Sequence, residues 1–389
     1  MMGILIVTVV CIVAVGYTYI IYPVLIRILS AAKKPNSICY ESTENLPGVT
    51  VVMAAYNEEK VIAEKIQSIL KSNYPADKIE ILIGSDNSTD STDTIINRFA
   101  SADHRIRLVR FNQRTGKTGI INELVKQSVN SLLILTDANV MFDNDTLFQL
   151  IRNFKNESIT LVDSRMINTG IKKEGISLQE KTYIRAEVYI KYCEGKTWGT
   201  MMGPFGGCYA IRKSGFRPVP AHFLVDDFYI NMQVLLNGGK CISELNAFAF
   251  EDAGNNPAIE FKRKVRIASG SFQNLFHFAK ILLKPGAVSF CFFSHKVLRW
   301  LGPLFIVFFY AGSIILSYIP FFFFIMIGSS LVFISPLIEL LLRKVFRLHS
   351  PLIKFLSYFT TSNAAQLAGL WRFISGIRSG IWQPTSRNQ

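Results

Sequence analysis

The 389-residue sequence predicts an α/β domain built on a mostly parallel sheet, with membrane-spanning helices before and after it. Three observations carry that expectation. Between Pro47 and about Gly254, short β-type runs alternate with helical periods at roughly 25–30 residues, the spacing of strand–helix–strand units. No charged residue lies between Gly3 and Ile26, and none between Leu301 and Ile338. The polar residues that carry chemistry gather directly after the β-type runs, where α/β sheets bind their ligands.

The run Gly3–Ile26 exceeds the roughly 20 apolar residues that span a bilayer core. It lacks the positive n-region and short apolar core of a cleaved signal peptide, so residues 1–32 are expected to be a retained anchor. Arg27, Lys33 and Lys34 follow it, which orients the chain from Lys33 onward to the cytoplasm.

Residues 45–255 form the soluble domain. Thr50–Ala54, Ile79–Gly84, Ile106–Val109 and Ser131–Thr136 read as strands. Glu58–Lys71, Ser91–Phe99 and Thr118–Val129 read as the intervening helices. Residues 256–296 are expected to be a basic, amphipathic interfacial segment, with Ser271–Leu283 (SFQNLFHFAKILL) amphipathic enough to lie on the bilayer and a buried helix of the soluble domain as the alternative. Residues 297–345 form a transmembrane hairpin turning near Pro320, and 346–389 a membrane-associated segment with a basic tail on the cytoplasmic side. Phe355–Phe373 carries Thr360, Thr361, Ser362, Asn363 and Gln366, and is a weak span that equally suits the interface.

The net charge of +14 concentrates beside the apolar runs (Lys262, Arg263, Lys264 and Arg266; Lys296 and Arg299; Arg343, Lys344 and Arg347). That pattern fits anionic lipid headgroups and not nucleic acid. The six cysteines show no C-x-x-C pair and no zinc-like spacing, which points to reduced, packed thiols.

FNQRTGKTG (Phe111–Gly119) looks like a phosphate-binding loop, but Phe111 stands where G-x-x-x-x-G-K-[ST] requires its first glycine. The residues after the four strands are more informative: Tyr56 and Glu58, then Asp86, then Arg114 and Lys117, then Asp137 and Asn139. Tyr56 suits stacking on a planar base, and Asp86 hydrogen bonding to a base or ribose. Lys117 with a divalent cation on Asp137, Mg²⁺ or Mn²⁺, suits a diphosphate. Ser88 and Asp90 read as a helix cap, and Asp143 and Asp145 as turn and cap residues.

AAYNEE (Ala54–Glu59), SDNSTD (Ser85–Asp90), RTGKTGIIN (Arg114–Asn122), TDAN (Thr136–Asn139), FGGCYAIR (Phe205–Arg212) and VDDFY (Val225–Tyr229), in that order, resemble the motifs of family 2 glycosyltransferases. Specifically, they resemble the membrane-embedded polysaccharide synthases (cellulose, poly-N-acetylglucosamine and hyaluronan synthases and their relatives). The resemblance implies a GT-A fold, an inverting transfer, and a nucleotide-diphosphate sugar donor, with UDP expected. It implies Asp227 as general base, and Tyr56, Glu58, Asp86, Lys117, Asp137, Arg263 and Arg266 at the nucleotide-sugar. It further implies Gly207, Cys208 and Asp226 on the acceptor side, and Asp137 with Asn139 on the metal.

The sequence departs from the family where Ala55 replaces a frequent proline, Ser85 replaces a paired acid, and Asn139 closes the D-x-D-like motif. RKVRI (Arg263–Ile267) lacks the tryptophan of the Q-x-x-R-W motif found in chain-forming synthases. Trp382, Thr385 and Arg387 (WQPTSR) resemble a gating segment and equally suit an interfacial tail.

Two enzymatic expectations follow: sugar transfer to a glycan acceptor in extracellular polysaccharide synthesis, with export or assembly partners, or transfer of one sugar to a lipid such as a polyprenyl phosphate or sphingolipid. A non-catalytic scaffold is the third, and Asp137 and Asp227 speak against it.

Overall fold

The structure, a computed structural model, describes residues 1–170, 177–252, 256–348 and 350–377. The chain divides into two compact units. One comprises Leu29–Ile171, Ile184–Gly254 and Ile377–Gln389 and contains the sheet; the other comprises Met1–Ile28, Lys172–Tyr183 and Asn255–Gly376.

The strands among the described residues are β1 (Val49–Ala55), β2 (Ile79–Ser85), β3 (Ile106–Arg110), β4 (Leu132–Asp137), β5 (Val140–Phe142), β6 (Ile159–Thr169), β7 (Cys208–Arg212) and β8 (Lys240–Asp252). They form one sheet in the order β3-β2-β1-β4-β7-β6-β8-β5. β1 (VTVVMAA) is buried along its whole length and pairs in parallel with β2 and β4. A strand covered on both faces has no reason to alternate polar and apolar residues. β3 (IRLVR) is one of the two edge strands, with Arg107 and Arg110 exposed, charges that deter pairing with another chain.

Beneath the sheet the helix Ile62–Leu70 buries Ile62, Ile66 and Ile69 in the cluster that includes Val51, Met53, Ile81, Ile83 and Ile134. Each such aliphatic side chain contributes about 1.5–3 kcal/mol on burial.

The first strands run outward from β1 to β3, and the chain then returns to place β4 on the other side of β1. That reversal opens a crevice at the carboxyl ends of β1 and β4. Register aligns those ends: Ala54 pairs with Asp137, Ala55 with Ser85, and Ser85 with Arg110. Tyr56, Asp86 and the loop after β3 therefore leave the sheet along one edge, beside Asp137.

The mostly parallel expectation holds for β3-β2-β1-β4 and for β6 with β8, whereas β7 runs antiparallel to β4 and β6, and β5 antiparallel to β8. β7 starts at the edge where β4 ends, pairing Cys208 with Thr136, so the Gly206–Gly207 approach lies next to Asp137. No crossover is needed for an antiparallel neighbour.

In the helical unit, Met2–Ala31, Ala287–Ile315 and Pro320–Phe346 are long and apolar enough to cross a membrane. They expose Ile6, Val10, Val13, Phe321, Phe324 and Leu337. Inside the unit, contacts are close. A Cβ added at Gly312 would lie 2.0 Å from Thr8 Oγ1, so the glycine lets two apolar helices approach.

The expectation that Ser271–Leu283 lies on the bilayer is corrected for its first part. Ala268–Leu275 are buried within the helix Pro257–Phe278, although Phe276 and Leu283 are exposed. The cover is the helix Pro351–Ile374, onto whose Gly369 carbonyl Ser269 Oγ donates at 3.1 Å. Phe355–Phe373 falls in that helix, which is not among the three of membrane-crossing character.

Candidate functional site

The loops after β1 and β2 are laced together. Asn57 and Asn87 take left-handed backbones (φ 52° and 58°), which asparagine tolerates. Asn57 Oδ1 accepts from Thr89 N at 2.9 Å, and Ser88 Oγ accepts from Asn57 N at 3.2 Å. Glu58 N donates to Thr92 Oγ1 at 2.8 Å, Glu59 N to Asp90 Oδ2 at 3.1 Å, and Ser91 N to Glu59 Oε2 at 3.0 Å. Ser88 and Asp90 are thus spent on loop structure, whereas the helix cap expected of them falls at Ser91. Tyr56 and Glu58 belong to a loop whose backbone is fixed from the segment that follows β2.

Asp86 is fully buried and holds the loop after β3. Arg114 Nε donates to its Oδ2 at 2.9 Å, Thr115 N to its Oδ1 at 2.5 Å, and Gly116 N to both oxygens at 3.2 Å. The Arg114 guanidinium lies 3.3 Å from the centroid of the Tyr56 ring. The amides of RTG therefore cradle a carboxylate of the same chain. Gly116 (φ 82°) then turns the backbone into the helix Lys117–Gln127, presenting Lys117 at its first position.

Lys117 Nζ sits 2.7 Å from Asp137 Oδ1 and 3.8 Å from Asp226 Oδ2. Burial works against its charge, but Asp137, Asp226 and Asp227 outweigh burial and raise its pKa above the usual lysine value. Asp226 and Asp227 open the helix Asp226–Leu236, where the helix dipole favours acids. Asp227 Oδ1 accepts from Phe228 N at 2.6 Å. Burial first, and then the neighbouring Asp226 charge, push Asp227 up to about 7 against the pull of Lys117, the Phe228 N–H and Lys191. A small pocket beside these groups is lined by Lys117, Thr136, Gly206, Tyr209 and Asp226.

Asp137 and Asn139 flank the short turn from β4 to β5, and the Asp137 carboxylate is about a third exposed (34%). A carboxylate and an amide two residues apart are hard oxygen donors that fit Mg²⁺ or Mn²⁺. Among the described residues no group of three or more His, Cys, Asp or Glu side chains lies together for a metal. A cation held here would take its remaining oxygens from a bound diphosphate or water.

Gly206 (φ 79°) passes so near Asp227 that an added Cβ would lie 2.4 Å from Asp227 Oδ2. Gly207 O accepts from Asp137 N at 3.0 Å, tying the glycine approach to the β4 end. Cys208 is buried, and burial pushes its thiol up to about 12, so it serves packing.

The loop ahead of these glycines rests on groups that sequence reasoning missed. Lys191 and Asp163 form a fully buried ion pair at 2.7 Å, Asp163 Oδ1 accepts from Phe205 N at 3.3 Å, and Asn231 bonds Met201 O and Gly203 N. Lys65, also missed, is wholly buried, and burial pulls its pKa down to about 7 against Cys208 and Asp137. A signal existed for both lysine sites. Lys65 falls on the stripe Ile62, Lys65, Ile66, Ile69, and Asp163 interrupts the apolar run of β6.

Of the residues singled out from sequence, Tyr56, Glu58, Asp86, Lys117, Asp137, Asn139, Gly207, Cys208, Asp226 and Asp227 all belong to the sheet unit. Arg263 and Arg266 belong to the helical unit, on the helix Pro257–Phe278, where Arg263 Nη2 pairs with Glu260 Oε1 at 2.8 Å. Trp382, Thr385 and Arg387 lie outside the described residues.

Residues 50–219 match the family model described as glycosyl transferase family 2. The chain is similar to a poly-beta-1,6-N-acetyl-D-glucosamine synthase of Staphylococcus epidermidis, at 31% identity over 29% of this chain and 26% of that protein. It is also similar to a beta-monoglucosyldiacylglycerol synthase of Synechocystis sp., at 30% identity over 60% of this chain and 49% of that one. These alignments thus span about a quarter to a half of the relatives' own length. Among solved structures, a mannosyltransferase from Pyrobaculum calidifontis, in complex with GDP-Man and Mn²⁺, superposes with a TM-score of 0.72 at 19% identity, covering 95% of this chain and 99% of that one.

Proposed function

We propose that this chain, which has the GT-A fold and whose residues 50–219 match the family 2 glycosyl transferase model, moves a sugar, with inversion, from a nucleotide-diphosphate donor to a glycan acceptor at the cell membrane. The observation that carries the reading is the set Lys117, Asp137, Asp226 and Asp227 at the carboxyl edge of the sheet, with Asp227 poised at about 7.

The chemistry asks for a single base. The acceptor hydroxyl attacks C1 of the donor sugar as its proton passes to Asp227, and the bond from C1 to the diphosphate oxygen breaks on the opposite face. A carboxylate whose pKa lies near neutrality suits that proton transfer better than an ordinary aspartate. The Lys117 ammonium, held among carboxylates, is placed to meet the charge that grows on the departing diphosphate. A divalent cation, Mg²⁺ or Mn²⁺ on Asp137 and Asn139, supplies further neutralisation of the diphosphate when bound. UDP is the expected nucleotide, with Tyr56 and Glu58 at the base.

A second reading is transfer of one sugar to a membrane lipid. It is favoured by the longer alignment, to the beta-monoglucosyldiacylglycerol synthase, and by the missing tryptophan in RKVRI. The three apolar helices and the basic residues after Ala31 support a multi-pass membrane protein with the sheet unit in the cytoplasm. Export or assembly partners belong to the glycan reading.

The test is product analysis. Full-length protein in detergent with membrane lipid extract, Mn²⁺ and a panel of labelled UDP- and GDP-sugars is expected to yield a glycan ladder of inverted linkage from one donor. A lone glycolipid would transfer the case to the second reading. No product from any donor, with the protein folded, would sink both.

A further inference from the structure

The turn Asp137–Asn139 has no hairpin ladder to fix it. β4 lies between β1 and β7, whereas β5 pairs with β8 at the far edge of the sheet, so the strands on either side of the turn do not pair with each other. A turn that must hold hard oxygen donors in one geometry needs another clamp. The wholly buried Lys65 is where one would be required. Its ammonium donates to Thr136 Oγ1 at 3.0 Å and to the carbonyl oxygen of Val140, the residues immediately before and after the turn. The Phe142 ring covers it, with Nζ 3.4 Å from the centroid.

The contact continues beyond the turn. Thr136 Oγ1, accepting from Lys65, donates in turn to Gly207 O at 2.9 Å, the carbonyl that also accepts from Asp137 N. Helix, turn and glycine approach are thus joined through one ammonium. The helix is anchored independently, since Phe142 N donates to Ser68 Oγ at 3.2 Å and Ser68 Oγ donates to Lys65 O at 2.8 Å. Burying a lysine among apolar residues is costly unless its charge is satisfied, and a methionine would fill the same volume without that cost. The hydrogen bonds it donates on either side of the turn therefore explain a lysine at this position.

We infer that Lys65 is a positioning residue for the donor site: its ammonium clamps Thr136 to Val140 and so fixes the Asp137–Asn139 turn that receives the metal-bound diphosphate, in register with Gly207. This rests on the reading of that turn given under the proposed function. Lys65 touches no substrate atom, and its effect passes entirely through the turn.

The experiment is titration calorimetry of UDP onto the full-length protein in detergent, with and without Mn²⁺, for wild type and Lys65→Met. Wild type is expected to bind UDP more tightly with Mn²⁺ than without it. Lys65→Met is expected to keep its Mn²⁺-free affinity for UDP and to lose about tenfold or more of the Mn²⁺-dependent affinity, the size of loss seen when a group orienting metal ligands is removed. Thr136→Val, which removes one of the two clamped atoms, is expected to move the same way by a smaller factor, with Thr136→Ser close to wild type. That pair keeps the test open should Lys65→Met not fold. Undiminished Mn²⁺ tightening in a folded Lys65→Met, or equal losses with and without Mn²⁺, would overturn the inference. Wild type indifferent to Mn²⁺ would overturn the reading of the turn itself, and the inference with it.

Discussion

The ammonium of Lys117 lies 2.7 Å from the Asp137 carboxylate, at the point where a loop that only resembles a P-loop meets the end of β4. Its position depends on Gly116, which turns a left-handed corner, and on Asp86, which holds the amides before it. On the proposed function, its partner during the reaction is the donor diphosphate. Lys117→Met is expected to lower nucleotide release by about 10²-fold or more, the scale of losing one charge-stabilising donor in the transition state. Initial rates against donor concentration are the check, with an unchanged melting temperature showing that the fold survives.

Asp227 acts as a base only when ionised. With its pKa at about 7, the rate is expected to rise with pH through neutrality and to flatten above it. Asp226→Asn removes a like charge that disfavours ionisation, so the rising limb shifts to lower pH. Burial is the larger cause, and the limb therefore stays above the ordinary aspartate range. A pH profile of kcat/KM for both proteins measures the displacement.

Asp86 and Tyr56 separate a stability effect from a binding effect. Asp86 accepts bonds from Arg114, Thr115 and Gly116, so Asp86→Ala strands those donors at a cost of about 1.5–3 kcal/mol, moderated because Arg114 is partly exposed. A lower melting temperature and lost donor binding are expected together. Tyr56→Ala removes the ring that stacks on the Arg114 guanidinium, and is expected to weaken nucleotide binding with a smaller fall in melting temperature than Asp86→Ala. Parallel melting and UDP titration of both variants distinguish the two roles.

Gly206 approaches Asp227 in a backbone conformation that side chains disfavour. Gly206→Ala adds a Cβ 2.4 Å from Asp227 Oδ2 and places alanine at φ 79°, a strain of about 1–2 kcal/mol. The base must then move. A fall in kcat larger than any change in KM is expected, read from steady-state kinetics.

The first half of the sheet was legible because each strand from Thr50 to Thr136 is a compact apolar run followed by a helical period. Observed β2 and β3 run one residue past the expected strands at the C-terminal end, and β1 and β4 differ by one residue at each end. The second half was not, since β5 spans only three residues and β8 (KCISELNAFAFED) mixes polar with apolar positions. Motif spacing brought Lys117, Asp137, Asp226 and Asp227 to notice, and the register of β1, β4 and β7 explains their meeting. The sequence points Asp86 toward a base or ribose, and the structure adds that its carboxylate accepts from Arg114, Thr115 and Gly116 in the loop after β3, pairings distant in sequence that no local pattern records. Lys65 escaped because lysine on an amphipathic helix normally reads as solvated, although its place among Ile62, Ile66 and Ile69 marks the buried face. Ser271–Leu283 misled for a related reason: the stripe is present, and another helix of the same unit covers its first part.

The central claim is that Asp227 is the base of a sugar transfer from a nucleotide-diphosphate donor. It is tested most directly by nucleotide release from full-length protein with Mn²⁺ over a panel of UDP- and GDP-sugars, comparing wild type with Asp227→Asn at equal melting temperature. Release from one donor by wild type, reduced by about 10²-fold or more in the variant, is the expected result. Release that Asp227→Asn leaves intact would contradict it and move the base to another residue.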